Sequence, residues 1–184
     1  MNEIKTTEFE INKTDIEGLL DIDITVVEDE RGWFQERYQK EKLEEAGFPK
    51  DFVPVQQNIS FNKHVGTTRG IHAEPWNKYV SVTFGQVYAV FVDLRKGNNF
   101  GKKVEIVIDP SKAVYVPKDV ANSFQTLTHN TLFTYLVDGH WSADGEYKTV
   151  NLADPKLDIK WPIPLNIATV SEKDRNAPLL DKIK

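Results

Sequence analysis

The 184-residue sequence contains no cysteine, and this absence excludes three kinds of chemistry at once. A chain without thiols forms no disulfide, offers no thiolate nucleophile and binds no metal through sulfur. It also suits a reducing compartment. No segment approaches the roughly eighteen apolar residues of a membrane-spanning helix, and the N-terminal sequence MNEIKTTEFEINK lacks the apolar core of a signal peptide. We therefore expect a cytoplasmic protein that has no membrane partner.

A surplus of positive charge is also missing. The sequence has 23 lysines and arginines against 28 aspartates and glutamates, a formal net charge of -5. Proteins that bind nucleic acid in general hold its phosphates with an excess of basic residues. We therefore expect no nucleic-acid partner, and an anionic ligand would need a local basic pocket.

The length predicts one domain over residues 1–184.

Long helical segments are scarce. Residues 39–46 are the best helical stretch, followed by Gly47 and Pro49 as stop signals, and Ser171 is typical of the cap of a second short helix. Strand-like segments cover residues 19–27, 52–60, 79–84, 86–94, 104–108, 113–116, 124–127 and 131–137. Segments of this length and spacing favour an all-β antiparallel sandwich or small barrel. Gly85 predicts a tight turn that joins two of these strands.

Residues able to carry chemistry concentrate in Arg69 to Lys78, which reads RGIHAEPWNK. The segment directly precedes the longest strand-like run, so we expect a rigid sheet to hold its side chains. A second polar group, Gln56, Gln57 and Asn58, lies within a predicted strand. These amides suit either ligand binding or the ordinary polarity of an edge strand.

A metal site and a nucleophilic enzyme are both disfavoured by the residue types present. His72 and Glu74 form one His-x-Glu pair, but no second cluster of metal ligands accompanies it. Nucleophilic catalysis would need an activated serine, threonine or cysteine, and no GxSxG motif is present. We therefore expect no bound metal.

Proton transfer fits the available residues better. It requires a base, a carboxylate that orients the base, a cation near developing negative charge and an acid on the opposite side. His72, Asp174, Lys78 and Tyr135 supply these types. Each also suits a structural position, so the residues alone indicate a β-rich domain that has the components of an acid–base site.

Eight motifs occur in an order that resembles a known family. They are DERGWFQERY, QQNIS, RGIH followed by a lysine, VFVDLRKGNNFGK, VPKDVANSFQTL, FTYLV, LADPKLDIKWP and SEKDRNAPLL. Over residues 18–180 the sequence is similar to dTDP-4-dehydrorhamnose 3,5-epimerases. The resemblance implies a cupin-like jelly-roll fold, a homodimer, and no metal or organic cofactor. It also implies inversion at C3 and C5 of dTDP-4-dehydro-6-deoxy-glucose, which gives dTDP-4-dehydro-rhamnose.

The resemblance assigns a role to each candidate catalytic residue. It makes His72 the base and Asp174 the carboxylate that orients it. Lys78 takes the position of a lysine that stabilises the enolate. Tyr135 takes that of a tyrosine that returns a proton from the opposite face of the sugar.

The resemblance also implies a set of substrate-binding residues. Arg31 and Arg69 match positions that meet the diphosphate. The remaining candidates are Glu36, Gln56 and Asn58 around the nucleotide, His140 and Trp141 in place of a tyrosine pair near the thymine, and Lys173 beside Asp174.

Two further departures from the family pattern are a compact AEPWN loop between His72 and Lys78 and Asn122 at a position where many members have histidine. Three alternatives remain open from the sequence. Related enzymes invert a single carbon, others move the carbonyl from C4 to C3, and a non-catalytic nucleotide-sugar-binding or metal-binding cupin is a candidate of a different class.

Overall fold

The structure is a computed structural model that describes residues 7–183. Over these residues the chain forms mainly short strands, with two short α-helices. The elements are β1 (Phe9–Lys13), β2 (Leu20–Ile24), β3 (Val27–Asp29), β4 (Gly32–Phe34), α1 (Lys40–Glu45), β5 (Gln56–Asn62), β6 (Thr67–Ala73), β7 (Lys78–Phe84), β8 (Val87–Asp93), β9 (Lys103–Ile108), β10 (Lys112–Val116), β11 (Val120–Thr126), β12 (Thr131–Val137), β13 (Lys148–Thr149), β14 (Thr169–Val170), α2 (Glu172–Arg175) and a 3₁₀ helix (Leu180–Lys182).

Two sheets contain most of the strands. In the first sheet the order is β1-β2-β10-β7-β12-β5. In the second it is β13-β6-β11-β8-β9, with β14 beside β6. All pairings in both sheets are antiparallel except that of β14 with β6. Strands β3 and β4 form a separate hairpin.

The sheets pack face to face through apolar side chains from both. Val80 and Val82 of β7 and Phe91 of β8 are buried in this core. Phe124 of β11 stacks on Phe133 of β12, with ring centroids 4.3 Å apart. Burial of this apolar surface is the main stabilising contribution expected for the sandwich, and it fixes β11 and β12 opposite each other.

The outer faces of the two sheets are covered by the segments between the strands. On the first sheet, Phe48 and Phe52, which lie in the segment after α1, pack against Tyr79 and Tyr115. On the second sheet, residues 150–183 supply the cover, with Leu157 among the buried side chains. The C-terminal segment therefore lies against the sheet that contains β6.

The predicted all-β jelly-roll class with a few short helices is confirmed. Helix α1 lies where helix-forming residues predict it, and Gly47 follows it with φ of 104°. Ser171 caps α2 as predicted, because its side chain accepts a hydrogen bond from the Asp174 N–H. The strand predicted at residues 131–137 coincides with β12.

The predicted hairpin around Gly85 is wrong. Strands β7 and β8 lie on either side of this residue, but β7 pairs with β10 and β12, and β8 pairs with β9 and β11. Gly85, with φ of 86°, therefore turns the chain from one sheet to the other. The reason is that both edges of β7 and both edges of β8 are already paired with other strands, so neither has an edge free for the other.

Other boundaries also differ from prediction. The strand predicted at residues 52–60 is observed as β5 at Gln56–Asn62. Phe52 lies outside this strand, because its side chain is buried in the layer that covers the outer face of the first sheet. Strands β1, β4, β6, β13 and β14 correspond to no predicted strand. The expected absence of a signal peptide concerns an N-terminal sequence whose first six residues lie outside the described part. Within residues 7–183, no helix is long and apolar enough to span a membrane.

Candidate active site

A cavity of about 530 Å³ opens between the two sheets. One wall comes from β5, β7 and β12, and the other from β6 and β11. Residues 169–174, at β14 and α2, close one side. The polar and charged side chains that line it are Ser60, Thr67, Thr68, Arg69, His72, Glu74, Lys78, Asn122, Tyr135, Thr169, Ser171, Lys173 and Asp174.

His72 and Asp174 meet in this cavity. His72 Nε2 lies 2.7 Å from Asp174 Oδ1, and the aspartate side chain is only 7% exposed. Its position depends on the cap of α2, where the Asp174 N–H donates to Ser171 Oγ over 3.1 Å. When the carboxylate accepts a hydrogen bond from the Nε2–H group, Nδ1 is the unprotonated nitrogen that can take up a proton.

The backbone of β6 fits closely against β11 beside His72. A Cβ added at Gly70 would lie 2.7 Å from Cβ of Ser123, so a larger residue would push the two strands apart. Asn122 pairs in register with His72 across these strands. The glycine therefore allows β6 to place His72 at this position.

Lys78 is buried at the start of β7, with 3% of its surface exposed. Its Nζ donates to Asn122 Oδ1 over 2.5 Å and forms an ion pair with the Glu74 carboxylate. Burial lowers the pKa of Lys78 because it penalises the ammonium form, and the negative charge of Glu74 opposes this change. Contact with Glu74 therefore favours the ammonium form of a lysine that burial alone would tend to neutralise.

Tyr135 enters the cavity from β12, in the sheet opposite that of His72. Burial raises the pKa of Tyr135, the Glu74 carboxylate raises it further, and Arg69 acts in the reverse direction. The phenol therefore stays protonated at neutral pH. A protonated tyrosine on one wall and a histidine on the other provide an acid and a base on two sides of one cavity.

Arg69 and Lys173 add positive charge to the same cavity. Arg69 Nε donates to Asn62 Oδ1 over 2.9 Å, which fixes the guanidinium while leaving other N–H groups for a ligand. Together with Lys78, the cavity thus contains three basic side chains and two carboxylates, those of Glu74 and Asp174. A local basic site of this kind exists within an acidic protein, as an anionic ligand requires.

Six of the predicted substrate-binding residues do not line this cavity: Arg31, Glu36, Gln56, Asn58, His140 and Trp141. The Arg31 side chain is 85% exposed and forms an ion pair with Asp29.

The other five candidates lie in varied surroundings. Glu36 forms an ion pair with Lys42, and Gln56 Nε2 donates to Asn58 Oδ1 over 2.9 Å. His140 is exposed. Trp141 is also exposed, and its ring stacks with that of Tyr147.

The predictions from sequence missed two contacts of Lys78. Glu74 forms an ion pair with Lys78 and does not join His72 in a metal site. The spacing of four residues between this glutamate and this lysine is a signal in the sequence that could have indicated the pair. Asn122 had no comparable signal, because its contact depends on β11 lying opposite β7. Among residues 7–183, no group of three or more histidine, aspartate or glutamate side chains is arranged to hold a metal ion.

Comparison with known proteins gives consistent matches along the chain. The family model for dTDP-4-dehydrorhamnose 3,5-epimerase matches residues 13–182. A protein described as an RmlC homolog from Streptococcus pyogenes is 48% identical over 177 residues, which covers 92% of this chain and 88% of the relative.

Two solved structures are similar in fold as well as sequence. RmlC from Streptococcus suis, in complex with dTDP-D-xylose, has a TM-score of 0.90 and 44% identity and covers 98% of this chain and 94% of that chain. The dTDP-4-dehydrorhamnose 3,5-epimerase from Bacillus anthracis, with TDP and PPi bound, has a TM-score of 0.85 and 32% identity and covers 93% and 99%. The chain therefore belongs to the dTDP-4-dehydrorhamnose 3,5-epimerase family.

Proposed function

We propose that this protein inverts C3 and C5 of dTDP-4-dehydro-6-deoxy-glucose by proton transfer and so forms dTDP-4-dehydro-rhamnose. One observation carries the proposal: His72 and Tyr135 line the same cavity from opposite sheets. An inversion needs a proton removed from one face of a carbon and another delivered to the opposite face. A base and an acid on opposite walls meet this requirement.

His72 acts as the base. Both C3 and C5 lie next to the C4 ketone, so removal of either proton moves negative charge onto the ketone oxygen. Asp174 accepts a hydrogen bond from the imidazole Nε2–H group and stabilises the imidazolium that forms when Nδ1 takes the sugar proton. The 2.7 Å contact between the two side chains supports this division of roles.

Lys78 stabilises the enolate, and Tyr135 returns the proton. A buried ammonium acts strongly on nearby charge because little water screens it. The raised pKa of Tyr135 keeps the phenol protonated until it donates to the carbanion carbon from the face opposite His72. The phenolate then regains a proton from solvent, and the imidazolium loses one, which restores the site.

Arg69 and Lys173 bind the diphosphate. Both line the cavity, and the planar donor arrangement of a guanidinium suits paired phosphate oxygens. The nucleotide ligands carried by the solved relatives support an anionic ligand of this class.

The protein acts as a homodimer of one-domain chains, and the partner supplies part of the nucleotide site. Arg31 and Glu36 were assigned to the substrate but lie outside the cavity of their own chain. Next to Arg31, Trp33 and Phe34 are 49% and 66% exposed. Exposed aromatic side chains are common at protein interfaces. A second copy packed on this hairpin would bury them and bring Arg31 to a neighbouring site.

Incubation with dTDP-4-dehydro-6-deoxy-glucose in deuterated water tests the function. We expect deuterium at both C3 and C5 of the product, measured by NMR. Label at one carbon would indicate a mono-epimerase, and movement of the ketone to C3 would indicate a ketoisomerase. The absence of both label and conversion would contradict catalysis on this substrate and leave the non-catalytic alternative.

A further inference from the structure

The segment between β6 and β7 is short and tightly bonded to its neighbours. Asn77 N donates to Asp138 Oδ1 over 2.8 Å, and Asn77 Nδ2 donates to Asp138 Oδ2 over 2.6 Å. On the other side, Lys118 N donates to Asn77 Oδ1 over 2.9 Å, and Asp119 N donates to the Glu74 carbonyl over 3.1 Å. The backbone that bears Glu74 is therefore fixed from two directions.

The side chain of Glu74 lies where it limits the freedom of Lys78. A lysine ammonium has three N–H donors and no acceptor. Asn122 accepts one of them, and the Glu74 carboxylate contacts the ammonium as an ion pair. Glu74 Oε2 is buried and has no hydrogen-bond partner in the described chain, so its contact with Lys78 is electrostatic. The hydrogen bond to Asn122 uses one of the three donors, and at least one more remains for a ligand in the cavity.

We propose that Glu74 is a positioning residue that keeps Lys78 protonated and leaves one of its N–H groups for the ketone oxygen of the substrate. The identification of the ligand group as a ketone rests on the proposed function. The effect of Glu74 on Lys78 does not, because it is a property of the protein without ligand. The compact AEPWN loop places this carboxylate four residues before the lysine, at the start of the strand.

The other charged groups around the cavity do not replace Glu74. Strand β6 contributes Arg69 and His72, and α2 contributes Lys173 and Asp174. The two basic side chains cannot stabilise an ammonium group, and the Asp174 carboxylate is already in contact with His72.

The strands on the remaining sides bring no carboxylate to Lys78. Strand β11 contributes Asn122, an uncharged amide, and β12 contributes Tyr135, which is protonated at neutral pH. Glu74 is thus the carboxylate in direct contact with Lys78 among the described residues that line the cavity.

A neutral side chain at position 74 removes this support. Burial already lowers the pKa of Lys78, so loss of the negative charge lowers it further. The Glu74→Gln variant keeps the shape and hydrogen-bonding capacity of the side chain and changes mainly its charge. The shorter carboxylate of Glu74→Asp keeps the charge but moves it away from the ammonium.

The test is an NMR titration of Lys78 in protein labelled with ¹³C at lysine Cε. The Lys78→Arg variant identifies the signal, and circular dichroism confirms that each variant is folded. We expect the Lys78 midpoint to move to lower pH in Glu74→Gln and by a smaller amount in Glu74→Asp. The Asn122→Ala variant is the matched control, because it removes a hydrogen bond without removing a charge and should shift the midpoint less than Glu74→Gln.

Turnover measured over the same pH range gives the second arm. The ratio of wild-type to Glu74→Gln kcat should increase as pH rises, since the variant loses its ammonium earlier. An unchanged or raised Lys78 midpoint in both Glu74 variants would overturn the inference even if the wild type is an active epimerase. Conversely, a wild type without turnover would contradict the proposed function, and the titration would still decide the role of Glu74.

Discussion

His72 Nε2 lies 2.7 Å from Asp174 Oδ1, although 102 positions separate the two residues in the sequence. The contact joins β6, in the wall of the cavity, to α2, in the segment that covers the same sheet. It therefore depends on the C-terminal segment folding back onto β6.

Replacing Asp174 with asparagine should reduce kcat by about 10²- to 10⁴-fold, the usual contribution of one acid–base group. An amide stabilises neither the required tautomer nor the imidazolium as well as a carboxylate does. Steady-state kinetics measures the effect, and circular dichroism checks the fold. A variant with normal kcat would show that His72 does not need Asp174.

Replacing Lys78 with methionine should abolish turnover and also destabilise the protein. The change leaves the half-buried Glu74 carboxylate without its cation, and breaking such a pair costs about 3 kcal/mol of unfolding free energy. The double variant Lys78→Met/Glu74→Gln should recover much of that stability, measured by urea denaturation, without recovering activity. Equal stability of the single and double variants would argue against a strong pair.

The alkaline loss of activity should follow Lys78 and not Tyr135. Burial lowers the pKa of the lysine and raises that of the tyrosine, and both groups must be protonated to act. As pH rises, Lys78 therefore loses its proton first. We expect kcat to fall before the phenolate absorbance of Tyr135 develops, with that absorbance assigned by comparison with Tyr135→Phe. Coincidence of the two transitions would contradict this order.

Arg31 should act on the site of the partner chain. The Arg31→Ala variant should bind substrate more weakly, since a hydrogen bond to a charged group contributes about 1.5–3 kcal/mol, and His72→Ala should be inactive. Refolding the two variants together allows mixed dimers in which one site has both residues intact. We expect activity to return at low substrate concentration only if Arg31 acts across the interface. A mixture that stays inactive would place Arg31 with its own chain or outside the site.

Much of the fold was predictable because the information is local. Short strands, few helices and the stop signals around α1 indicate a β sandwich directly from periodicity and turn residues. The error at Gly85 arose because a glycine between two apolar strands predicts a turn but not the pairing that follows it. Whether such strands form a hairpin or cross between sheets depends on the other strands that cover them.

The candidate site was predictable to the extent that residue types and motif order identify it. His72, Lys78, Tyr135 and Asp174 were named from the sequence, and they line one cavity. The contact of Asn122 with Lys78 was not predictable, because it arises only when β11 and β7 face each other. The location of Arg31 outside the cavity was also hidden, since similarity to a motif gives no position in space for a residue of an exposed hairpin.

Hydrogen exchange in the Tyr135→Phe variant tests most directly whether the base and the acid act from opposite faces of the sugar. Without the phenol, His72 can still remove a sugar proton, exchange it with solvent and return deuterium to the same face. In deuterated water we therefore predict label in the recovered dTDP-4-dehydro-6-deoxy-glucose with unchanged configuration, and no label with His72→Ala. Inverted product at the wild-type rate from Tyr135→Phe, or exchange that persists in His72→Ala, would contradict the roles proposed for Tyr135 and His72.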